Sequence, residues 1–381
     1  MKLHHRLACL FLIALSSLTG CISSSTARNS SMDKTGWITH CFGRFLIDLP
    51  PDADIKAGYY LWGDGIDLLK DPSLKLEKII TQREQELRSE KNIKTQRSRF
   101  IRTINLAPGK GVLSWESNYS TEMYLLDTYV ISKPAGNIYH WAAGVTKSRE
   151  NQGLDSASIL SRSIRSLEPN EIPTEPGFCI DRAYIAGNSY QGERFDIGVT
   201  FPDRPGAHFE FSSSTGAEQD RLLDRAGGFL MGVAKRVAGI ETLRKRERPG
   251  AVPAEEFLVA GSHQGQRLYT FAWEAQGKDG SITEPNITAG LEVGESYTDA
   301  NGKLPRPPFK SDKEALDLWD TIIDSIRLRP VTPNLGGSRD IPPSHPGSPA
   351  AKHFDQGPPV GYELEEFLTT LPPLDNWMDD L

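Results

Sequence analysis

The side chains that could do chemistry in this 381-residue chain are few and poorly grouped. Acyl-enzyme hydrolysis asks for a serine on a Gly-x-Ser-x-Gly elbow, whose strained turn lifts the hydroxyl clear of a sheet. The nearest stretch, Gly187-Asn188-Ser189-Tyr190-Gln191-Gly192, spaces its glycines wrongly. Zinc hydrolysis asks for two histidines one helical turn apart with a glutamate between them. No His-Glu-x-x-His occurs, and His40, His140, His208, His263, His345 and His353 are scattered. His208-Phe209-Glu210 puts two polar side chains on one face of a strand, which is too few for a metal and reads as a solvated face. Pro108-Gly109-Lys110-Gly111 lacks the full pattern of a phosphate-binding loop and reads as a hairpin turn. No catalytic residue, metal site or cofactor is therefore expected, and the absence of an active site points to binding.

The cysteines carry more information. Cys21 follows Leu18-Thr19-Gly20, an order that resembles the lipobox of bacterial lipoproteins, where the cysteine becomes the acylated N-terminus. Ahead of it lie the basic Lys2, His4, His5 and Arg6 and an apolar run, Leu7 to Leu15. That run is about half of the roughly 20 residues a spanning helix needs, so it reads as an export signal. Lipid attachment at Cys21 follows, with one buried methylene worth about 0.8 kcal/mol and several chains needed to hold firmly. Residue 22 is Ile rather than the Asp that often retains lipoproteins at the inner membrane, which favours the periplasmic, inner leaflet of the outer membrane. In such a protein the sequons at Asn118-Tyr119-Ser120 and Asn286-Ile287-Thr288 are coincidences. Cys9 leaves with the signal, so Cys41 and Cys179 remain; in an oxidising compartment they are a candidate disulfide, with two buried thiols as the alternative.

Composition bounds the body behind the tether. Hydrophobic residues make up 38% and charged residues 24%, the profile of a folded globular chain. Loss of Lys2 and Arg6 with the signal leaves 41 basic against 50 acidic residues, a net charge of −9. So acidic a body argues against a nucleic-acid partner, whose phosphates ask for a basic face. One basic run stands out, Arg244, Lys245, Arg246 and Arg248. It reads as a solvated sheet edge whose charges block edge pairing, with an anionic lipid head group or an acidic partner patch as the alternative.

The positioning elements fall into an order that occurs twice. After a Ser- and Thr-rich stalk, His40 to Pro50 and the run Ile55 to Trp62 have strand composition, and Asp71-Pro72-Ser73 opens a helix carrying Leu76, Ile79, Ile80 and Leu87 on one face. Four strand-like runs follow, then a helix around Leu154 to Ile164 that ends in "SIRSLEP". The second half repeats this, from "GFCIDRAYI" and "RFDIGVTFP" through an amphipathic helix to a capping box at Ser311 and Glu314 and the ending "SIRLRP". The expected fold is α+β: two tandem similar modules, each a mainly antiparallel sheet with two helices. Its parts are a signal peptide (1–20), a flexible stalk (21–36), a first module (37–170), a second module (175–330), a Pro-rich linker (331–360) and an acidic-hydrophobic tail (361–381).

"WITHCFGRFLIDLP", "GFCIDRAYI…ERFDIGVTFPDRPG" and "SIRLRP" resemble stretches of the two-domain lipoprotein immunity proteins of type VI secretion systems, which neutralise phospholipase effectors of the fourth antibacterial lipase class. The similarity spans about Trp37 to Pro330 and rests on framework stretches. It implies a periplasmic, lipid-anchored inhibitor, not an enzyme, that grips one cognate secreted phospholipase between two modules in a one-to-one complex. The partner-binding residues are not assigned by it, and loops are expected to make the contact, because loops carry binding on rigid scaffolds. The rival reading is a structural or assembly lipoprotein that scaffolds other envelope proteins.

Overall fold

The computed structural model describes residues 32–332 apart from 72, 74, 188–191, 227–237, 264 and 295–304. Cys21, the signal sequence, most of the stalk, almost all of the Pro-rich linker and the acidic tail lie outside the described residues. The fold is α+β, a largely antiparallel sheet with few helices.

The stretch His40 to Pro50, expected as one strand, is a hairpin of β1 (Ile38–Phe42) and β2 (Phe45–Leu49). Gly43 makes the turn at φ +55°, and a Cβ there would lie 2.6 Å from the ring of Phe195. Glycine thus both reverses the chain and admits the aromatic ring. "GFCIDRAYI" likewise folds back on itself, as β10 (Gly177–Ile180) and β11 (Ala183–Ala186), with Arg182 at φ 56° in the turn.

Between these hairpins run β3 (Asp54–Leu61), β4 (Asp64–Leu68), α1 (Leu76–Ser89), β5 (Phe100–Leu106), β6 (Gly109–Trp115), β7 (Met123–Ile131), β8 (Ile138–Thr146), α2 (Glu150–Ser163) and β9 (Ile164–Ser166). Beyond them come β12 (Arg194–Thr200), β13 (Ala207–Ser214), a helical stretch at 222–226, β14 (Ala238–Arg248), β15 (Ala254–His263), β16 (Gln266–Ala275), β17 (Asn286–Val293), α3 (Asp312–Ile323) and β18 (Arg327–Leu328). The first helix starts at Leu76 rather than at Asp71-Pro72-Ser73. The Asp71 carboxylate instead accepts from the Ser73 N–H at 2.8 Å, closing a local turn ahead of the helix. The Ser311 cap forms as its spacing predicts, its hydroxyl accepting from the Glu314 N–H, while the Glu314 carboxylate reaches the Lys310 N–H.

The modules were expected to have a sheet each. Instead twelve strands run as one antiparallel sheet in the order β14-β15-β16-β17-β13-β12-β3-β4-β8-β7-β6-β5, and the seam pairs β12 with β3 from Arg194–Tyr60 to Thr200–Asp54. Alternation explains how the seam forms. Phe195, Ile197 and Val199 point to one face and continue the apolar rows of Tyr59 and Leu61 and of Phe209 and Phe211. Two three-stranded sheets lie apart from it, β1-β2-β18 and β10-β11-β9. The hairpin opening each half thus pairs with the strand that closes the other half.

One apolar core joins both halves on the face covered by α2, α3 and the small sheets. Trp319 of α3 is wholly buried, edge-on to Phe209 and Phe271 at 6.3 and 5.6 Å. Truncating such a ring to alanine costs about 3–5 kcal/mol. On the opposite face α1 buries Ile80 and Leu87 against Val112, Tyr129 and Ile138, while Leu222 and Ala226 pack on Phe257 and Val259.

Candidate functional site

A disulfide joins Cys41 to Cys179, with Cα atoms 5.9 Å apart, and so ties the two small sheets together. Beside it the Gly43 and Cys179 backbones exchange hydrogen bonds of 2.9 and 2.8 Å. Arg44, in the turn of the first hairpin, forms a two-pronged pair with the buried Glu193 at 2.7 and 2.6 Å, and its guanidinium also donates to the Gly187 carbonyl at 3.2 Å. Arg329 closes the junction from the other end of the chain. Its guanidinium donates to the carbonyls of Pro173, Glu175 and Gly177 and lies over the Tyr184 ring. Burial pulls the Arg329 pKa down from its ordinary value, yet a guanidinium stays charged. These links are short and fix the halves as one body.

Two clusters carry titratable groups of catalytic type. In the first, buried Asp127 accepts from the Arg83 Nε–H at 2.9 Å and pairs with His140 Nε2 at 2.9 Å, while Tyr129 stacks on the imidazole. Burial alone would raise the Asp127 carboxyl, but the bond to His140 and the Arg83 charge hold it below its usual range. An oriented His–Asp pair becomes a hydrolytic device only with a nucleophile on the imidazole's free nitrogen. The ring nitrogen bonded here is Nε2, and among the described residues no hydroxyl or thiol hydrogen-bonds to Nδ1. Pinning α1 to the sheet is the role this geometry supports. In the second, His208 Nε2 and Glu210 lie 3.2 Å apart on an exposed strand face, which agrees with their spacing in sequence. No three His, Cys, Asp or Glu side chains among the described residues gather as a metal site.

The basic run is corrected by the structure in one respect. It does lie on β14, an edge strand of the large sheet, and Lys245 and Arg246 are exposed there, but Arg248 is buried and Arg244 partly so. Arg244, Arg246 and Arg248 share one face and converge on Glu256, which is wholly buried, and on Asp320 of α3. Arg248 adds Asp324 at 2.7 Å, and the indole N–H of Trp319 also donates to Glu256. Burial would raise the Glu256 carboxyl, but the Arg248 and Arg244 charges outweigh it and hold it low. Lys245 points to the other face, over the Phe257 ring. Arg244 and Arg248 are therefore engaged in docking α3 on the edge strand, while Lys245 and Arg246 keep the exposure expected of an edge. Sequence reasoning could see the cations but not their carboxylates, which arrive from residues as distant as Asp320.

The face of the large sheet opposite the main core is covered near its ends by α1 and by residues 222–226. Between them β3, β12, β13 and β17 present Lys56, Gly58, Arg194, Asp196, Gly198, Glu210, Ser212, Thr288 and Gly290. Polar groups there are partnered already: Arg194 with Asp196 at 2.8 Å, and Ser212 with Thr288 hydroxyl to hydroxyl at 2.7 Å. Glu210 lies between two glycines in register, Gly198 on β12 and Gly290 on β17. The result is a polar stretch of sheet surface between α1 and residues 222–226.

Residues 38–136 match the Tle cognate immunity protein 4 N-terminal domain, and residues 171–331 match the C-terminal domain of the same family. The apo structure of the immunity protein TplEi of the T6SS from Pseudomonas aeruginosa is 56% identical, with TM-score 0.74, over 79% of this chain and all of that one. A chain of the crystal structure of the Tle4-Tli4 complex is 57% identical, with TM-score 0.75, over the same shares. TplEi complexed with an "L" peptide matches at 55% identity and TM-score 0.69 over 78% of this chain and all of that one. No curated protein sequence matches. Identity of this order across the entire length of each matched chain leaves one assignment: the chain belongs to the Tle cognate immunity protein 4 family, whose members are binding proteins of type VI secretion and not enzymes.

Proposed function

We propose that this chain binds a cognate secreted phospholipase effector in the periplasm, one to one, and holds it inactive, protecting the cell's own membranes. The observation that carries this reading is the 57% identity to a chain of the Tle4-Tli4 complex, over all of that chain. The protein is anchored by lipid at Cys21, on the inner leaflet of the outer membrane, which confines the inhibitor to the surface under attack. Support for the anchor is the Leu-Thr-Gly-Cys order behind a short apolar run.

The two halves are modules of one design, bounded near 37–170 and 175–330, with the linker (331–360) and the tail (361–381) as additions to that plan. The twelve-strand order, which reads alike from either edge, and the crossed pairing of the two hairpins support this. A duplicated, rigidly joined body offers two contact regions to one target, and engaging both raises affinity through effective concentration.

The test titrates mature protein against candidate exported phospholipases on phospholipid vesicles. Inhibition should saturate at one inhibitor per lipase, with a complex of matching stoichiometry on a sizing column. Full lipid release in excess inhibitor, with no complex for any candidate, would falsify the reading and favour the envelope scaffold.

A further inference from the structure

Two connections at one end of the first half project the large exposed apolar side chains found among its described residues. Ile93, in the α1–β5 connection, is 51% exposed, and Tyr119, between β6 and β7, is 64% exposed. They are neighbours, because the Ile93 N–H donates to the Asn118 carbonyl at 2.7 Å. Around Ile93 stand Lys91, Lys94 and Arg97, all exposed and forming no ion pair among the described residues. Three unpaired cations beside two uncovered apolar groups are unusual on a body whose mature net charge is −9.

The fold does not require this projection. β15 and β16 hold the place in the second half that β6 and β7 hold in the first, and only residues 264 and 265 separate them. The β6–β7 connection instead spends residues 116–122, and it is built to stay put. Asn92, wholly buried, donates from its side chain to the Ser120 carbonyl at 2.6 Å and accepts from the Lys94 and Thr95 N–H groups at 3.1 and 3.0 Å. The Ser120 hydroxyl and the Met123 backbone then close the second connection at 2.9 and 3.1 Å. A display fixed before contact loses little conformational freedom on binding, which is how a few anchor side chains come to dominate an interface.

We infer that this tip is an anchor by which the protein holds its phospholipase: Ile93 and Tyr119 fill an apolar recess on the effector, and Lys91, Lys94 and Arg97 meet an acidic rim around it. The inference rests on the function proposed above and locates its contact. Charge sets the partner's chemistry, since a recess with a basic or neutral rim gains nothing from three cations. Rigidity favours a protein over a bilayer, because a membrane surface yields to any apolar group and rewards buried area, of which two side chains offer little.

The experiment uses the full mature chain and the phospholipase against which the wild type saturates at one to one. Ile93→Ala with Tyr119→Ala should weaken binding by at least about 30-fold, the scale of a hot-spot loss. Melting should be unchanged, because both side chains are exposed and their backbone bonds remain. Lys91→Ser, Lys94→Ser and Arg97→Ser together should slow association at low salt and flatten its salt dependence. Unchanged affinity of the apolar double variant, with wild type binding tightly, overturns the tip and leaves the inhibitor reading standing. If the tip variants lose only binding to phosphatidylethanolamine–phosphatidylglycerol vesicles, or to a synthetic 361–381 peptide, the occupant is a membrane or the chain's own tail and the inference also fails. Failure of the wild type against every phospholipase removes both readings together.

Discussion

Arg248 shows how much one side chain can hold in this protein. It is 6% exposed and bridges β14 to Glu256 of β15, to Asp320 of α3 and to Asp324 just past that helix. Removing one member of a buried ionic cluster strands the others, which costs about 3–5 kcal/mol. Arg248→Met should therefore lower unfolding free energy by roughly that amount at pH 7, read by denaturant titration. Glu256 and Asp320 both have carboxyls held below their ordinary values, where burial is outweighed by the arginines. The stability they contribute is present above their unfolded values and is lost as pH falls through the folded ones. The cost of the substitution should thus shrink toward pH 3, and a cost independent of pH would show that packing alone is at work. Asp64 behaves oppositely. Burial, with no cation to offset it, pushes its carboxyl up from 3.8 to about 7. The folded state then holds a proton that the unfolded chain has released, so Asp64 erodes stability as pH rises from about 4 to 7. Asp64→Asn should stabilise at pH 8 by about 1–4 kcal/mol and do nothing at pH 3, checked by melts at both values.

At the scale of elements, each half depends on a hairpin supplied by the other. β1–β2 pairs with β18 after α3, and β10–β11 pairs with β9 after α2. The Cys41–Cys179 bond spans a separation of 138 residues at the meeting point of those hairpins. In the entropic account, closing so long a loop stabilises by about 4 to 5 kcal/mol, and many cross-links deliver less. Thiol labelling of unreduced, denatured mature protein should find no free thiol, and Cys41→Ser with Cys179→Ser should melt several degrees lower. Two labelled cysteines in the wild type would return the pair to buried thiols. Neither half should fold well if cut at residue 170, because each would lose its partner hairpin and expose the β3 or β12 edge.

At the scale of the whole molecule, two halves joined as one body, held on the proposed lipid tether, would suit interception at a membrane. The acylation proposed at Cys21 would place it in the plane where a phospholipase must work, and the acidic net charge would keep the body off anionic head groups. Cys21→Ala should move the protein from the membrane fraction to the soluble periplasm or leave it unprocessed, measured by fractionation and mass. Protection should weaken with release at native expression and recover on overexpression, since a soluble inhibitor is diluted but still binds. Wild-type fractionation of the variant would remove the anchor from the account.

What the residues determined by themselves is what depends on local pattern. Strand runs, the face of α1 bearing Ile80 and Leu87, the Ser311 cap and the hairpin at Pro108 all follow from side-chain period and turn chemistry, which act over a few positions. The α+β class and the framework likeness to immunity proteins were legible for the same reason. Tertiary structure alone decided what depends on partners distant in sequence. β12 meets β3 because their apolar rows continue one another, which no local pattern encodes, and so two expected sheets became one. Gly43 and Arg182, both at positive φ, turn expected strands into hairpins, and Gly43 also leaves room for the ring of Phe195. Arg248 of β14 reads as solvated in sequence, but Glu256 and Asp320 come to it across the fold and bury it. The tip at Ile93 and Tyr119 had no signal in sequence, since two loops become one surface only when Asn92 ties them together.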